Sequence, residues 1–408
     1  MTREAWQPTI PDHNPEISQT ESQGAIARRL WRDRFADQAE LIANHSEILF
    51  TGIGGGAAFG GEKVIPTEHG DSSQVPFYVN LEEKFGRVPQ ALFLPVSMMF
   101  ADHLIGLLSL AQECRNQGVK IIMPVLTAFA HERQDHYWRD SDGSRIQQPI
   151  TLDTVVKILL STPADDGGPL IDGAAAIGNH SNRAMIVAAK YGFPLLPEDP
   201  YNFMVEKSDL RNWRSYWKYL VGLSPDKGRK NEGMRLAHEL GIPYGGCEKS
   251  RARTTNGDAT VVLKDPMLLE YIRQTGATVV YFDDEIREAT TMAGGRLAVA
   301  GAAKNLIIIA FKGIFANLRG REDITAAQLL AQPLDQPFEH EEIIVSDAVS
   351  PVRSIEPIKD KLTVVPLAGE LRKMIQYIQK NPIPLNENWL REPEAGLLEL
   401  NLVKETYN

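Results

Sequence analysis

Four polar clusters in this chain each follow a short apolar run, and each combines side chains that can handle phosphate, metal or sugar hydroxyls. Phe129-Ala130-His131-Glu132-Arg133-Gln134-Asp135-His136 follows a run ending near Leu126. The planar fork of Arg133 suits a phosphate or the face of a base, although a solvated loop could carry the same residues. Leu223-Ser224-Pro225-Asp226 follows Tyr219–Val221. The Asp226 carboxylate suits a nucleotide-bearing divalent metal or a helix N-cap. Glu248-Lys249-Ser250-Arg251-Ala252-Arg253 places three cations between Gly245-Gly246 and Gly257. In an acidic protein this fits a phosphate clamp on a mobile loop, or a solvated basic turn. Finally, Val279-Val280-Tyr281-Phe282 runs into Asp283-Asp284-Glu285-Ile286-Arg287-Glu288-Ala289-Thr290-Thr291. Paired acids can hold vicinal hydroxyls. The turn after them can hold a phosphate through the N–H groups of a helix start and through Thr hydroxyls.

The segments that must carry these clusters alternate between helical and extended patterns. Ala101–Asn116 has Leu104, Leu107, Leu108 and Ala111 at helical spacing, Gly118 ends it, and Lys120–Leu126 reads as a buried strand. Met267–Gln274 is helical, Gly276 stops it, and Thr278–Phe282 is a strand. Ala298–Lys304 leads into the strand Leu306–Phe311. Glu342–Ser346 and Leu362–Pro366 are further strands, and Gly369–Gln379 is a helix. Helix, glycine, apolar strand and polar loop in repetition is the grammar of an α/β protein with parallel sheets covered on both faces. Ligands of such sheets sit beyond the carboxyl ends of the strands, where the four clusters lie. Residues 1–22 read as a tail, and 24–45 as a helix with Trp31, Phe35, Ala39 and Ile42 on one face. Residues 197–218, with Trp213 and Trp217, read as an interdomain or lid segment, and 321–341 as a surface insertion.

The 408 residues suffice for two domains, and 43% hydrophobic with 24% charged residues is the balance of a soluble globular protein. A net charge of -10 argues against nucleic-acid or anionic-membrane partners, which need a basic surface. Cys114 and Cys247 fit neither a metal motif nor a disulfide framework, so reduced thiols and a cytoplasmic location are expected. No signal-peptide core and no membrane-spanning run is expected either.

Taken in order, the clusters resemble the ribose-phosphate pyrophosphokinases over about Ile48 to Ile378. Asp102-His103-Leu104 looks like the start of that family's first long helix, and Arg133-Gln134-Asp135 is similar to its ATP-binding Arg-Gln-Asp. Asn179-His180 and Ser224-Pro225-Asp226 resemble the segments bearing its metal-binding His and Asp. Lys249 and Arg251 resemble its catalytic Lys and Arg, and Asp283-Asp284 its acidic pair. The resemblance implies two phosphoribosyltransferase-like domains, 46–200 (joined by 362–408) and 201–361, each a mostly parallel sheet flanked by helices, after an N-terminal helical extension, 1–45. It implies transfer of the β,γ-diphosphate of Mg-ATP to the anomeric hydroxyl of a ribose 5-phosphate unit. It also implies a homo-oligomer, dimer or hexamer, because the family shares its ATP site between subunits. His180 and Asp226 would hold Mg²⁺.

Two departures bear on substrate. The family's Asp-Thr-Gly-Gly-Thr phosphate loop is here Arg287-Glu288-Ala289-Thr290-Thr291, without its glycines. A longer 5′ group such as that of ADP-ribose, an acceptor in NAD resynthesis, would suit this loop. The family's acidic ATP-binding motif has no match in residues 60–80. Two rivals stand beside this reading. Gly52-Ile53-Gly54-Gly55-Gly56-Ala57, with Asp71 further on, fits a dinucleotide fingerprint, but Lys63 and Pro66 do not continue as a long helix, and a glycine turn accounts for it. A regulatory subunit without chemistry is the other, and Lys249, Arg251, His180 and Asp226 argue against it.

Overall fold

The computed structural model describes residues 18–51, 53, 79–129, 132, 151–178, 183–198, 200–207, 218–224, 230–250, 260–318 and 321–380. They fall into two compact units. One runs from Ser18 to Asp199 and includes the helix Ala368–Lys380; the other is Pro200–Val365.

The first unit is built on five parallel strands in chain order: β1 (Ser46–Ile48), β2 (Ala91–Ser97), β3 (Ile121–Ala128), β4 (Ala174–Ile177) and β5 (Leu195–Glu198). β2, β3 and β4 are buried at every position, as strands covered on both faces must be. Connecting helices Ala101–Asn116, Thr151–Ser161 and Arg183–Lys190 share one apolar cluster with alternate residues Leu92, Leu94 and Val96 of β2. On the first of these helices Leu104, Leu107, Ala111 and Cys114 face that cluster, while Leu108 is only partly buried.

The N-terminal helix starts at Ser18, inside the stretch read from sequence as a tail, and runs to Phe35. A 3-10 turn, Ala36–Gln38, interrupts it before a second helix, Ala39–His45. Trp31, Phe35 and Ile42 are buried as the helical spacing predicts. Asp172 ties this extension down: it accepts from Arg34 at 2.8 Å, from Arg115 at 2.6 Å and from the Ile122 N–H at 2.8 Å. A buried carboxylate with two guanidiniums and a backbone donor is fully compensated.

The second unit has seven strands in the order β14-β13-β10-β9-β6-β7-β8. These are β6 (Leu220–Ser224), β7 (Tyr244–Ser250), β8 (Thr260–Leu263), β9 (Thr278–Ile286), β10 (Asn305–Gly313), β13 (His340–Ser346) and β14 (Leu362–Val365); β11 (Asn317–Leu318) and β12 (Arg321–Thr325) form a small antiparallel pair. All neighbours in the large sheet are parallel except β7 and β8. Leu362–Val365 completes this sheet, so the chain returns to the first unit only at Pro366.

The stretch 321–341 is more than a surface insertion. After β12, Thr325 caps the helix Ala326–Ala331 in a capping box with Gln328, and Ala326, Ala327 and Leu330 enter the core of the unit. The lid reading of 197–218 meets a helix, Tyr201–Lys207, with Phe203, Met204 and Val205 buried; 208–217, with both tryptophans, lie outside the described residues.

One helix concerns the site directly. Thr290–Val299 leans on β9 through Gly295, where an added Cβ would come within 3.0 Å of the Tyr281 ring. Tyr281 donates its hydroxyl to the Gly295 carbonyl at 3.0 Å, and burial raises this phenol's pKa well above 10.0. Arg296 anchors the far end of the helix to Glu341 through two bonds, 2.6 and 3.0 Å, and Lys361 joins the same carboxylate at 3.0 Å. Burial also lowers the Lys361 pKa, against the raising effect of Glu341. Glu341→Ala would strand a buried guanidinium, which costs roughly 3–5 kcal/mol. Thermal unfolding should show a fall in melting temperature of roughly 10 °C.

Candidate active site

The second sheet changes direction between β6 and β9. From β6 the chain moves to β7 on one side, and from β9 it continues to β10 on the other. The carboxyl ends of two strands that diverge this way form the crevice in which open α/β sheets bind ligands. Asp283-Asp284 lies at that edge.

The sequence pattern ends this strand at Phe282. In the structure β9 continues to Ile286, because β10 runs beside it: Asp283 pairs with Ala310, Glu285 with Lys312 and Ile286 with Gly313. The acids therefore sit on a rigid strand rather than in a loop. Strand alternation puts Asp283 and Glu285 on the face of Tyr281 and Asp284 on the other. Asp283 is half-buried, whereas Asp284 and Glu285 are buried. Asp283 accepts the Asp284 N–H at 2.9 Å.

The turn that follows is held by backbone bonds. Ile314 and Phe315 N–H groups both donate to the Ile286 carbonyl at 2.9 Å, and Ala316 donates to that of Arg287 at 2.7 Å. The Ala289 carbonyl accepts from Ala293 at 2.8 Å, which starts the helix Thr290–Val299. Ala289 sits at φ 58°, in the left-handed region, as its N-cap, and offers no side-chain cap. An α-helix cannot satisfy its own first N–H groups, so this end is suited to an anion. Arg287 Nε donates to Glu285 Oε1 at 3.1 Å; the Glu285 side chain is fully buried and that of Arg287 is 30% exposed. The turn 287–291 thus carries a fixed, solvent-reaching cation beside a helix N-terminus.

The other expected site residues are placed less fully. Lys249 lies in β7, opposite Val261 of β8, so the segment expected to be a loop opens with a two-stranded antiparallel stem. Cys247 anchors that stem, buried, with Sγ 3.5 Å from the Tyr281 hydroxyl; burial raises its thiol pKa. Arg251 follows the stem, outside the described residues, as do Arg133, Gln134, Asp135, His180 and Asp226. In the chain Arg133 follows the carboxyl end of β3, His180 that of β4 and Asp226 that of β6. The dinucleotide-type glycines and Asp71 also fall outside, apart from Ile53. Among the described residues no group of three His, Cys, Asp or Glu could hold a metal, and no helix is long and apolar enough to cross a membrane. Both cysteines are free and buried, and desolvation pushes the Cys114 thiol up to about 12.

His103 lies near the start of the helix Ala101–Asn116. Its Nδ1 accepts the Met99 N–H at 3.2 Å, and its ring packs edge-on against Phe100, centroids 5.3 Å apart. Burial lowers its pKa below 6.5. A proton there would remove the acceptor and set a cation at the positive end of the helix.

Sequence reasoning passed over Glu285 and Lys312. A lysine closing the apolar run Ile307–Phe311 was the available signal.

No family model matches the chain. The ribose-phosphate pyrophosphokinase of Saccharolobus solfataricus is 24% identical over 226 residues, 51% of this chain and 65% of the relative. That of Sulfurisphaera tokodaii is 25% identical over 243 residues, covering 59% and 72%. The chain is similar in sequence to ribose-phosphate pyrophosphokinases. The alignment thus spans just under two thirds of the length of the Saccharolobus relative. The solved phosphoribosylpyrophosphate synthetase of Mycobacterium smegmatis shares the fold, with TM-score 0.52 at 21% identity over 71% of this chain and 83% of that one. The turn 287–291 places a left-handed residue at 289 that carries a Cβ, Ala289.

Ala289→Gly should remove a left-handed penalty of about 1 kcal/mol and raise the melting temperature by roughly 2–4 °C. His103 gives a pH signature. Its folded pKa is below 6.5, so the unfolded chain takes up the proton first as pH falls. Its contribution to stability is full above pH 6.5 and is lost as pH drops toward the folded value. Melting temperatures of wild type and His103→Gln should therefore diverge least on the acid side of that window, where the wild type has lost its advantage.

Proposed function

We propose that the chain is a diphosphotransferase moving the β,γ-diphosphate of ATP to the anomeric hydroxyl of an acceptor that contains a ribose 5-phosphate unit. The observation that carries this is the placement of Asp283-Asp284 and the turn 287–291 at the switch point of a mostly parallel sheet, leading into a helix N-terminus whose N-cap residue, Ala289, offers no side-chain cap. Acids for sugar hydroxyls and helix N–H groups for a 5′-phosphate stand within one short segment.

In the reaction the acceptor hydroxyl oxygen attacks the β-phosphorus. The bond from that phosphorus to the α,β-bridging oxygen breaks, AMP leaves with the bridging oxygen, and the hydroxyl proton is lost. No electrons change hands. Such chemistry depends on alignment and on charge neutralisation. Asp283, the half-buried acid, orients the ribose, and Asp284 acts from the opposite face of the strand end. Arg287 and residues 288–291, Glu288, Ala289, Thr290 and Thr291, receive the 5′ group. Lys249 and Arg251 neutralise the diphosphate as it moves, and Arg133, Gln134 and Asp135 hold the nucleotide. Magnesium, where bound, would screen the phosphate charges. It keeps several waters and needs few protein ligands, so Asp226 would hold it through a carboxylate oxygen and His180 would act through one of its waters.

A second acceptor is favoured by one specific feature. Arg287 replaces an acid of the family loop and is fixed by Glu285, so a second phosphate, as in ADP-ribose, would meet a preset cation. An oligomer and a cytoplasmic setting remain part of the proposal.

The test is AMP formation from Mg-ATP, followed by chromatography, with ribose 5-phosphate or ADP-ribose as acceptor. Acceptor-dependent AMP is expected, and Lys249→Ala should lower its rate roughly 100- to 1000-fold. Absence of AMP with both acceptors would overturn the reading in favour of a regulatory subunit.

A further inference from the structure

Three charged residues close the apolar face of the second sheet. Along β9, β10 and β13 the alternation of core residues is Val279 and Tyr281, then Leu306, Ile308 and Ala310, then Ile343 and Val345. Beyond them on that face lie the half-buried Asp283 and then three buried charges, Glu285, Lys312 and Asp347. Glu285 and Lys312 are register partners, and the backbones of Lys312 and Asp347 form an isolated antiparallel β-bridge, which sets the three side chains' positions side by side. Lys312 is completely buried, and Glu285 and Asp347 nearly so. The turn below them is fixed by Ser346, whose hydroxyl donates to the Phe311 carbonyl at 2.5 Å and accepts the Ala348 N–H at 3.2 Å. Gly313, next to Lys312, admits no Cβ: it would meet Phe315 at 2.8 Å and Val345 at 2.9 Å.

A lysine sealed inside a protein is tolerated only where carboxylates balance it. Glu285 also holds Arg287, the cation that reaches solvent at the turn. Without Lys312, the whole charge of Glu285 would draw on Arg287 and neutralise it. With Lys312 in place, Glu285 can orient Arg287 while leaving its charge available to an incoming anion.

We propose that Lys312 is a positioning residue for the acceptor: through Glu285 it sets the orientation and effective charge of Arg287. This rests on reading 283–291 as the acceptor segment. The route is Lys312 to Glu285 to Arg287, with the buried Asp347 on the β13 side of Lys312.

Calorimetric titration of ribose 5-phosphate, ADP-ribose and Mg-ATP tests it, using wild type, Lys312→Met, Lys312→Arg, Glu285→Gln and the double variant Lys312→Met/Glu285→Gln, each first checked for a cooperative thermal transition. The expected result is that Lys312→Met and Glu285→Gln each weaken acceptor binding by roughly tenfold, the scale on which the outer partners of a binding group act. Mg-ATP binding stays unchanged, the double variant is no weaker than either single one because the two act as a unit, and Lys312→Arg regains most of the loss. Acceptor binding unchanged in Lys312→Met, with or without a lower melting temperature, would overturn the proposal, as would losses that add in the double variant. If Lys312→Met fails to fold, Lys312→Arg and the charge-balanced double variant carry the same test. Wild type that binds neither acceptor would instead overturn the reading of the segment itself.

Discussion

The ladder between β9 and β10 outlasts the apolar sequence of both strands, and the candidate site depends on that excess length. Pairing continues through Asp283, Glu285 and Ile286 against Ala310, Lys312 and Gly313. Carboxylates that would wander in a loop are therefore carried on strand backbone, the more precise support for a binding group. The same extension forces charge into the interior, and buried charge must be balanced where it stands. Lys312, Glu285 and Arg287 follow from that one constraint. So does the turn after β9, since Ile314, Phe315 and Ala316 can donate to it only because β10 has reached that level.

Beyond the turn, two close approaches set the helix that follows. Gly295 lets Thr290–Val299 rest on the Tyr281 ring, and Arg296 ties its far end to β13 through Glu341. Two glycines in a helix interior cost about 1 kcal/mol each relative to alanine. The tyrosine bond, the buried ion pair and the packing they permit offset this. The first unit uses a comparable device, in which Asp172 gathers Arg34, Arg115 and the β3 backbone and so docks the N-terminal helix on its own sheet.

The helix Ala101–Asn116, the buried strands β3 and β10, and the α/β alternation were all legible in the sequence, because period and apolar content agree there with the final packing. The true end of β9 was not. Asp-Asp-Glu reads as a loop in isolation, and only the neighbouring strand makes it extended. Lys312 was hidden by the apolar run it terminates. The stretch 321–341 looked like an insertion because its polar ends outweigh Ala326, Ala327 and Leu330, which reach the core. Of the proposed site, Asp283, Asp284 and 287–291 could be placed in full and Lys249 by its backbone; the remaining residues are known by their position after strand ends.

The central claim is that a diphosphate moves as one piece to an acceptor held by β9 and its turn. Phosphorus NMR of the complete reaction, with Mg-ATP and each acceptor, tests that most directly. The account predicts AMP together with a new diphosphate ester whose two phosphorus atoms are coupled, appearing only with acceptor. ADP with a new phosphate monoester, or ADP with free orthophosphate, would contradict it.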